Sequence, residues 1–360
     1  MRNYRKFLSS ENGSFAPAIA LSAVPLLLAM GIAVDYTSAT TDRAQMQNAL
    51  DSAVIAITTM EKTATDSERQ TTLQNVYSAN GGPGSASLKS VSFDPDGTMH
   101  AKTSASYAMP TDFMSLARIK TVNIDVATSV RKNPSLIQAE FRIEKVSGYW
   151  NKTITLYGTR FGQSKAEALM QIDYKYNGKG GTKGYGTTTM YTKDAKNKFT
   201  VVNQQQECTT ENKKSTTPAG TFPGPFVDGD KVTTCVMKAG GDEGAKIDVS
   251  QMNDLYLQMD VPSASPSTLK TNDPKTSDRL YIGDPNTPSN DSENPDNLIE
   301  VEKGNIVDIF TAVPCEQTSK QAWEDGGNAV PAHPRNADFF YSVTGKCDFN
   351  KRPSVTSLVQ

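Results

Sequence analysis

An apolar run without any charged residue occupies residues 15–34. Asp35 follows it, and three basic residues precede it: Arg2, Arg5 and Lys6. Because a helix rises about 1.5 Å per residue and the hydrocarbon core of a bilayer is roughly 30 Å thick, a run of this length matches what a spanning helix needs. The pattern predicts a transmembrane helix. By the positive-inside rule, residues 1–14 are predicted to be a cytoplasmic tail and the rest of the chain to be extracytoplasmic.

Two other interpretations of this run stay open. A cleaved secretory signal has an apolar region of only about 7 to 15 residues, whereas this run is longer and continues into helical sequence. A buried core helix rarely runs this long without a polar face. Pro17 and Pro25 are compatible with a spanning helix, since a first-turn proline loses no hydrogen bond and a mid-membrane proline only kinks the helix.

Helical periodicity continues beyond the apolar run, with apolar residues at spacings of three and four: Met46, Leu50, Ala53, Ile57 and Met60. This predicts one continuous helix to about residue 62. The stripe fits either packing against the domain's own sheet or contact with helices of other subunits. Thr65 and Glu68 form a capping-box pattern that predicts a second helix, and the segment 80–83 (NGGP) ends it.

The hydrophobic period then changes to two. Residues 91–93, a turn at 94–97 and residues 99–107 predict a β-hairpin with one buried face. A short helical link at 112–118 leads to a third alternating strand at 122–130. Residues 35–132 are therefore predicted to form a head made of the long helix, a short helix and a three-stranded antiparallel sheet.

Residues 135–360 are predicted to form a separate β-rich domain, with a β-sandwich as the default architecture. The period-two runs lie at 141–143, 154–156, 170–176 and 255–261. Glycine, proline, asparagine and aspartate mark three loops, at 178–186, 216–224 and 284–297. The overall fold class is α+β, with a transmembrane helix ahead of the head and the β-rich domain.

Composition restricts the possible functions. The chain has 360 residues, 37% of them hydrophobic, which is enough for two domains with real cores. A net charge of −2 gives no electrostatic footprint for nucleic acid. Four cysteines lie in the C-terminal half without metal-ligand spacing: Cys208, Cys235, Cys315 and Cys347. In an oxidising compartment they predict two disulfides, and sequential pairing closes the shortest loops; four buried thiols are the alternative.

Candidate chemistry is sparse. The glycine run at 178–186 lacks the strand, the GxxxxGK motif and the helix of a phosphate loop. Oxygen-bearing side chains between Asp284 and Asn297 could bind calcium, but their spacing lacks the EF-hand pattern and a solvated acidic loop explains them: Asp284, Asn286, Asn290, Asp291, Glu293 and Asp296. The two histidines, one of them His333, are far apart and stand near no obvious nucleophile. We therefore expect no catalytic residues, no metal and no cofactor.

The segment from Gly13 to Ala56 resembles the N-terminal segment of the TadG-like proteins of the tight-adherence (Flp) pilus system. Residues 109–130 also resemble the sheet segment of those proteins. The positions that carry the first resemblance are Gly13, Pro25, Gly31, Ala33-Val34-Asp35-Tyr36, Arg43, Gln47-Asn48-Ala49, Asp51 and Ala53. The resemblance implies a pseudopilin-like protein held in the bacterial inner membrane by one helix, with its head in the periplasm.

Two departures from the family pattern matter. A prepilin peptidase site would need a glutamate five residues after Gly13, where Ala18 stands, so processing is not expected. Many TadG-like proteins carry a von Willebrand type A domain with a DxSxS metal motif, and the nearest string, at 248–252, fails at its last position. We therefore expect a variant that lacks this domain and its metal site.

The resemblance implies an accessory or minor-pilin role in pilus assembly. Its implied partners are pseudopilins, the inner-membrane platform, membrane lipid and a secretin. Six residues are the candidate assembly contacts: Asp35, Tyr36, Arg43, Leu50, Ala53 and Ile57. Asp35 is expected to be exposed near the headgroups and to seek a cation on a neighbouring subunit. The alternative is a membrane-tethered periplasmic binding or enzymatic domain unrelated to pili.

Overall fold

The computed structural model describes residues 15–176, 186–213, 226–228, 230–240, 243–284, 286–287, 290, 294, 296–326, 334, 337–352 and 356–359. The predicted tail at 1–14 lies outside these ranges, as do most of the loops at 178–186 and 216–224 and the residues Asp291, Glu293 and His333. The chain divides into two compact units. Unit 1 comprises residues 1–133 and 351–360, and unit 2 comprises residues 134–350.

Unit 1 begins with a single 43-residue helix, α1 (Phe15–Ile57), followed by α2 (Asp66–Ala79). The predicted continuous helix is confirmed, although it ends about five residues earlier than expected. Of the helices that the structure describes, only this one is long and apolar enough to cross a membrane, over Leu21–Ile57. The predicted capping box is also confirmed: the Glu68 N–H donates to Thr65 Oγ1 over 3.2 Å, and the Thr65 N–H donates to Glu68 Oε2 over 2.7 Å.

Two buried cations explain where α1 ends. The last turn of the helix carries no basic residue of its own. Instead, Lys132 Nζ donates to the Thr58 carbonyl over 2.6 Å, and Arg69 donates to the carbonyls of Ile57 and Glu61 over 2.9 and 2.7 Å. These donors bind the last carbonyl of the helix and two carbonyls of the segment that follows it, and they place positive charge at the helix C-terminus.

The sheet of unit 1 contains the three predicted strands and a fourth from the C-terminal end. Its order is β1-β2-β3-β18, and all neighbours are antiparallel. The strands are β1 (Ser85–Phe93), β2 (Met99–Pro110), β3 (Thr121–Lys132) and β18 (Thr356–Val359). A 3-10 turn at Met114–Ala117 stands where the short helical link was predicted.

The position of β18 differs from the predicted division of the chain, which placed residues 351–360 in the second domain. The chain returns to unit 1 after residue 350, where Lys351 pairs with Glu61 over 2.8 Å and Thr356 faces Lys132 across the ladder. A four-residue strand contains too few alternating positions to give a period-two signal, and its partner strand lies more than 200 residues earlier.

Unit 2 consists of two antiparallel sheets. The eight-stranded sheet contains, in spatial order, β13 (Thr268–Lys270), β12 (Met252–Asp260), β5 (Lys152–Arg160), β6 (Ala166–Tyr176), β7 (Gly186–Lys193), β8 (Phe199–Asn212), β10 (Lys231–Ala239) and β9 (Phe226–Asp228). The six-stranded sheet contains β11 (Ala245–Asp248), β4 (Ser135–Val146), β17 (Phe339–Asp348), β16 (Thr318–Trp323), β14 (Leu280–Gly283) and β15 (Leu298–Glu300). A short helix, α3 (Ile309–Ala312), precedes β16.

A hydrophobic core lies between the two sheets, which confirms the sandwich-like prediction. Buried Phe141 and Trp323 come from the six-stranded sheet, and buried Leu156 and Ile172 come from the eight-stranded one. The fully buried Gln204 also connects the sheets. Its amide accepts from the Ile143 N–H over 2.9 Å and donates to the Ile143 carbonyl over 3.0 Å, so both backbone groups are satisfied away from water.

Candidate assembly surface on the N-terminal helix

Half of the six candidate contact residues face the core of unit 1 itself. Leu50, Ala53 and Ile57 are fully buried, together with Met46 and Val54 of the same helix. Helix α1 packs chiefly on β3 and α2. The apolar stripe predicted from the 3.6-residue period therefore serves the core of unit 1.

Asp35 lies in a different environment from the one we expected. Only 3% of the residue is exposed, and its carboxylate accepts three hydrogen bonds from consecutive backbone N–H groups. The donors are Asp112 over 3.1 Å, Phe113 over 3.0 Å and Met114 over 2.6 Å. These groups stand at the start of the 3-10 turn, where backbone donors have no partner of their own. The expected exposed carboxylate that pairs with a neighbour's cation is thus replaced by an internal link from α1 to the loop between β2 and β3.

A glycine allows this loop to approach the helix. Gly31 is buried one turn before Asp35, and a Cβ built on it would lie only 2.4 Å from Phe113 Cβ. No real Cβ contact is that short, so a side chain here would push Phe113 away from the helix. Gly31 and Asp35 together hold the loop against α1 at the end of the apolar run.

The opposite side of α1 is exposed. Tyr36 is 69% exposed, and Arg43 is also exposed, as is Ile55 at 38%. Other exposed residues along this part of the helix are mostly small or polar: Thr37, Ser38, Thr40, Thr41, Ala44, Gln45, Asn48 and Ser52. Among the candidate contact residues, Tyr36 and Arg43 are the two whose side chains a neighbouring subunit could reach.

Comparison with known families gives a match over the same helix. Residues 13–56 match the family model described as "Putative Flp pilus-assembly TadE/G-like". This segment is similar to that family. The matched residues comprise almost all of α1, with both the apolar run and the part that packs in unit 1.

The match ends at Ala56, so the resemblance of residues 109–130 to the family's sheet segment stays a prediction. No curated protein and no solved structure matches the chain. The TadE/G-like segment therefore carries the link to Flp pilus assembly.

The four cysteines of unit 2 pair in sequence order. Cys208 and Cys235 face each other on β8 and β10, and Cys315 joins Cys347, which lies on β17. The two bridges span 27 and 32 residues. Such bridges are typical of proteins in oxidising compartments.

Removing one bridge is expected to destabilise unit 2 substantially. Replacing both Cys315 and Cys347 by alanine should lower the free energy of unfolding by about 3 kcal/mol, because the unfolded chain gains conformational entropy. Denaturant unfolding of the detergent-solubilised protein, with and without reductant, measures this. Wild type should also run faster on a non-reducing gel than after reduction. Free thiols at all four positions, detected by alkylation, would contradict the pairing.

Unit 2 also contains a buried ion cluster that the sequence did not indicate. Lys152 Nζ lies 2.7 Å from Asp325 Oδ2, 3.3 Å from Asp338 Oδ2 and 3.2 Å from the Ser147 carbonyl. Glu324 brings a third carboxylate close to those of Asp325 and Asp338. The spacing of these carboxylates suits a metal ion, but the Lys152 ammonium already neutralises part of their charge. The cluster joins the start of β5 to the residues that follow the end of β16 and to the residue just before the start of β17.

Gly148 makes room for this cluster. Its φ of +120° favours glycine, and a Cβ there would lie 2.8 Å from Asp338 Oδ2 and 2.9 Å from Lys152 Nζ. The Gly148 carbonyl also accepts a hydrogen bond from Tyr174 over 2.9 Å. The cluster is thus built into the backbone of unit 2 and fits a structural role.

The cluster predicts a pH dependence of stability. Burial, opposed by Lys152 and reinforced by Asp338, raises the pKa of Asp325 to about 6. Between about pH 4 and 6 the folded protein therefore binds more protons than the unfolded chain, so this group's contribution is fully present at low pH and is lost as the pH rises through 6. Relative to Asp325→Asn, wild type should lose on the order of 2 kcal/mol between pH 4 and 7. Parallel stability curves for the two proteins would contradict this assignment.

The acidic loop at 284–297 is only partly described. Asp284 Oδ1 accepts a hydrogen bond from the Asn286 N–H over 2.8 Å, and its Oδ2 accepts one from the Thr287 hydroxyl over 2.7 Å. These local bonds lower the pKa of Asp284. They are the bonds of a turn, and they account for this carboxylate without a cation.

Proposed function

We propose that the chain is a membrane-anchored, periplasm-facing component of Flp pilus assembly, in an accessory or minor-pilin role. The observation that carries this proposal is the coincidence of the TadE/G-like match with α1. In that one helix, an apolar half long enough to cross a bilayer runs without a break into a half that packs in the core of unit 1.

The direction of insertion follows from charge and from the cysteines. Basic residues stand before the apolar run and Asp35 stands after it, which favours a cytoplasmic N-terminus. Two disulfides in unit 2 suit the oxidising periplasm better than the cytosol. Both lines of support lead to one topology, in which units 1 and 2 are outside the inner membrane.

The role we propose is structural rather than enzymatic. Among the described residues, the carboxylate cluster of unit 2 does not argue for an enzyme, because it is buried and paired with Lys152. The partners we propose are other proteins of the pilus machine, namely pseudopilins, the membrane platform and a secretin. The exposed side of α1 around Tyr36 and Arg43 is the surface we assign to helix contacts with them.

Reporter fusions test the topology. Because β18 is part of the sheet of unit 1, the reporter belongs after Gln360 rather than after β3. Alkaline phosphatase fused at that position should be active in a bacterial host. Green fluorescent protein fused at the same position should be dark, because the chain would carry it out of the cytoplasm. A fluorescent fusion with inactive phosphatase would place the units in the cytoplasm and overturn the proposal.

Gene deletion tests the link to pili. In a host that makes Flp pili with this protein, deletion should abolish or strongly reduce surface pili counted by electron microscopy, and the wild-type gene should restore them. Normal piliation of the deletion strain would exclude a required role in assembly.

A further inference from the structure

The loop between β2 and β3 carries an unusual set of exposed residues. We define the interfacial loop as residues 111–120. Three of its apolar side chains are exposed: Phe113 at 43%, Leu116 at 75% and Ile119 at 44%. Two cations, Arg118 and Lys120, are exposed beside them. Clustered exposed apolar groups normally indicate a contact surface.

The loop has a defined conformation. The Thr111 N–H donates to the Lys120 carbonyl over 3.1 Å, which closes its base. Within it, the Ile119 N–H donates to the Met114 carbonyl over 3.1 Å, and Arg118 adopts a left-handed backbone conformation with φ of 69°. The exposed apolar side chains are therefore presented by a hydrogen-bonded turn.

The position of the loop along α1 identifies what it contacts. Asp35 binds the loop through three backbone N–H groups, and Phe113 lies against Gly31. Gly31 belongs to the apolar run and lies three residues before its end, a rise of about 4.5 Å along the helix. Where α1 crosses a bilayer, the loop is at the depth at which the helix leaves the hydrocarbon.

The charge of the interfacial loop also indicates contact with a membrane surface. Arg and Lys beside an apolar patch can place their cations at the level of lipid phosphates while their stems cover acyl chains. A surface that continues directly from a membrane helix, with apolar side chains and cations together, matches the chemistry of an anionic phospholipid surface.

We propose that the interfacial loop is a second membrane-contacting element, which inserts Phe113, Leu116 and Ile119 into the headgroup region of an anionic phospholipid leaflet and pairs Arg118 and Lys120 with lipid phosphates. It rests on the anchoring by α1 proposed above. Two attachment points, the helix and the loop, would fix the orientation of unit 1 on the membrane, whereas a single helix would leave it free to tilt.

An environment-sensitive fluorophore tests the insertion. The four native cysteines are paired in disulfides, so a single added cysteine can be labelled without reductant. Leu116→Cys in the full chain is labelled with the fluorophore NBD and reconstituted in vesicles of phosphatidylethanolamine and phosphatidylglycerol. The control is Ser92→Cys, an exposed position at the end of β1, beside the hairpin turn at the opposite end of the sheet from the loop.

The expected result is a blue-shifted emission at position 116 that a lipid-borne nitroxide quenches, while position 92 keeps the emission of a probe in water. Ile119→Cys should behave like Leu116→Cys. In vesicles of neutral phosphatidylcholine the quenching at 116 should weaken, because the cations lose their anionic partners. Equal quenching in both lipids would overturn the role of Arg118 and Lys120.

A water-like signal at both 116 and 119 in protein that floats with the vesicles and resists carbonate extraction would overturn the loop proposal. That result would indicate that the apolar surface binds another protein, and it would leave the anchoring by α1 intact. Protein that carbonate extracts would instead show that the proposed anchoring itself fails.

Discussion

Replacing Ile57 by aspartate is expected to unfold unit 1. Ile57 is fully buried in the last turn of α1, and the two buried cations at this helix end, Arg69 and Lys132, already donate to backbone carbonyls. Burying this group without a partner should cost more than about 4 kcal/mol, a large share of the 5–15 kcal/mol that typically stabilises a domain. The measurement is abundance in the membrane fraction together with limited proteolysis, and both should show loss of the folded unit.

Ile55→Asp is the matched control, because the same change is made two residues away on a side chain that is 38% exposed. Its cost should stay near 0.5 kcal/mol, and the protein should be abundant and protease-resistant. Equal stability of the two variants would contradict the packing of the apolar stripe in unit 1. If Ile55→Asp is folded and abundant but pili are lost, the exposed side of α1 serves assembly.

The sequence predicted what depends on neighbours in the chain. The continuous helix, the capping box of Thr65 with Glu68 and the hairpin of β1 and β2 all rest on local periodicity or on residues three positions apart. The sequential disulfides followed from loop length and compartment. These elements needed no knowledge of distant partners.

Some strands gave too little hydrophobic signal. Strands β7 and β8 are rich in threonine and glutamine, and Gln204 is buried because it replaces a backbone partner for Ile143 in the other sheet. A polar side chain with that role looks like a surface residue in a period-two pattern. Strand β18 gave too little signal for another reason: its four residues are too few to show alternation, so it was assigned with residues 135–360.

Other features depend on residues far apart in sequence. Lys152 meets Asp325 and Asp338, which lie more than 170 residues later. Asp35 meets the loop residues 112–114, which are 77 or more positions away. An acidic residue at a membrane boundary reads as exposed, since the sequence alone does not reveal backbone donors that the fold brings to it.

Asp35 is also the basis of the second large effect that we expect. Asp35→Ala removes the acceptor for three backbone N–H groups. Hydrogen bonds to charged groups contribute roughly 1.5–3 kcal/mol each, but the freed N–H groups form hydrogen bonds with water instead, so the free energy of unfolding should fall by about 3 kcal/mol. Asp35→Asn should have the same sign but a smaller size, since its amide oxygen can take the place of Oδ2 and accept from both Phe113 and Met114, while its NH₂ then faces the Asp112 N–H and cannot accept from it.

Tryptic cleavage after Arg118 and Lys120 in the detergent-solubilised full chain measures release of the loop, and denaturant unfolding measures the free energy. Both Asp35 variants should be cleaved faster than wild type, while Asp42→Asn, a half-buried carboxylate on the same helix, should match wild type. Wild-type resistance of Asp35→Asn would contradict the link between helix and loop. Because the Asp35 carboxylate is used within its own chain, a loss of pili in this variant would not show that Asp35 contacts a neighbouring subunit.

Tyr36→Ala changes a side chain that is 69% exposed and should leave cleavage unchanged. A loss of pili in this variant would therefore report on contact between subunits and not on the fold of unit 1.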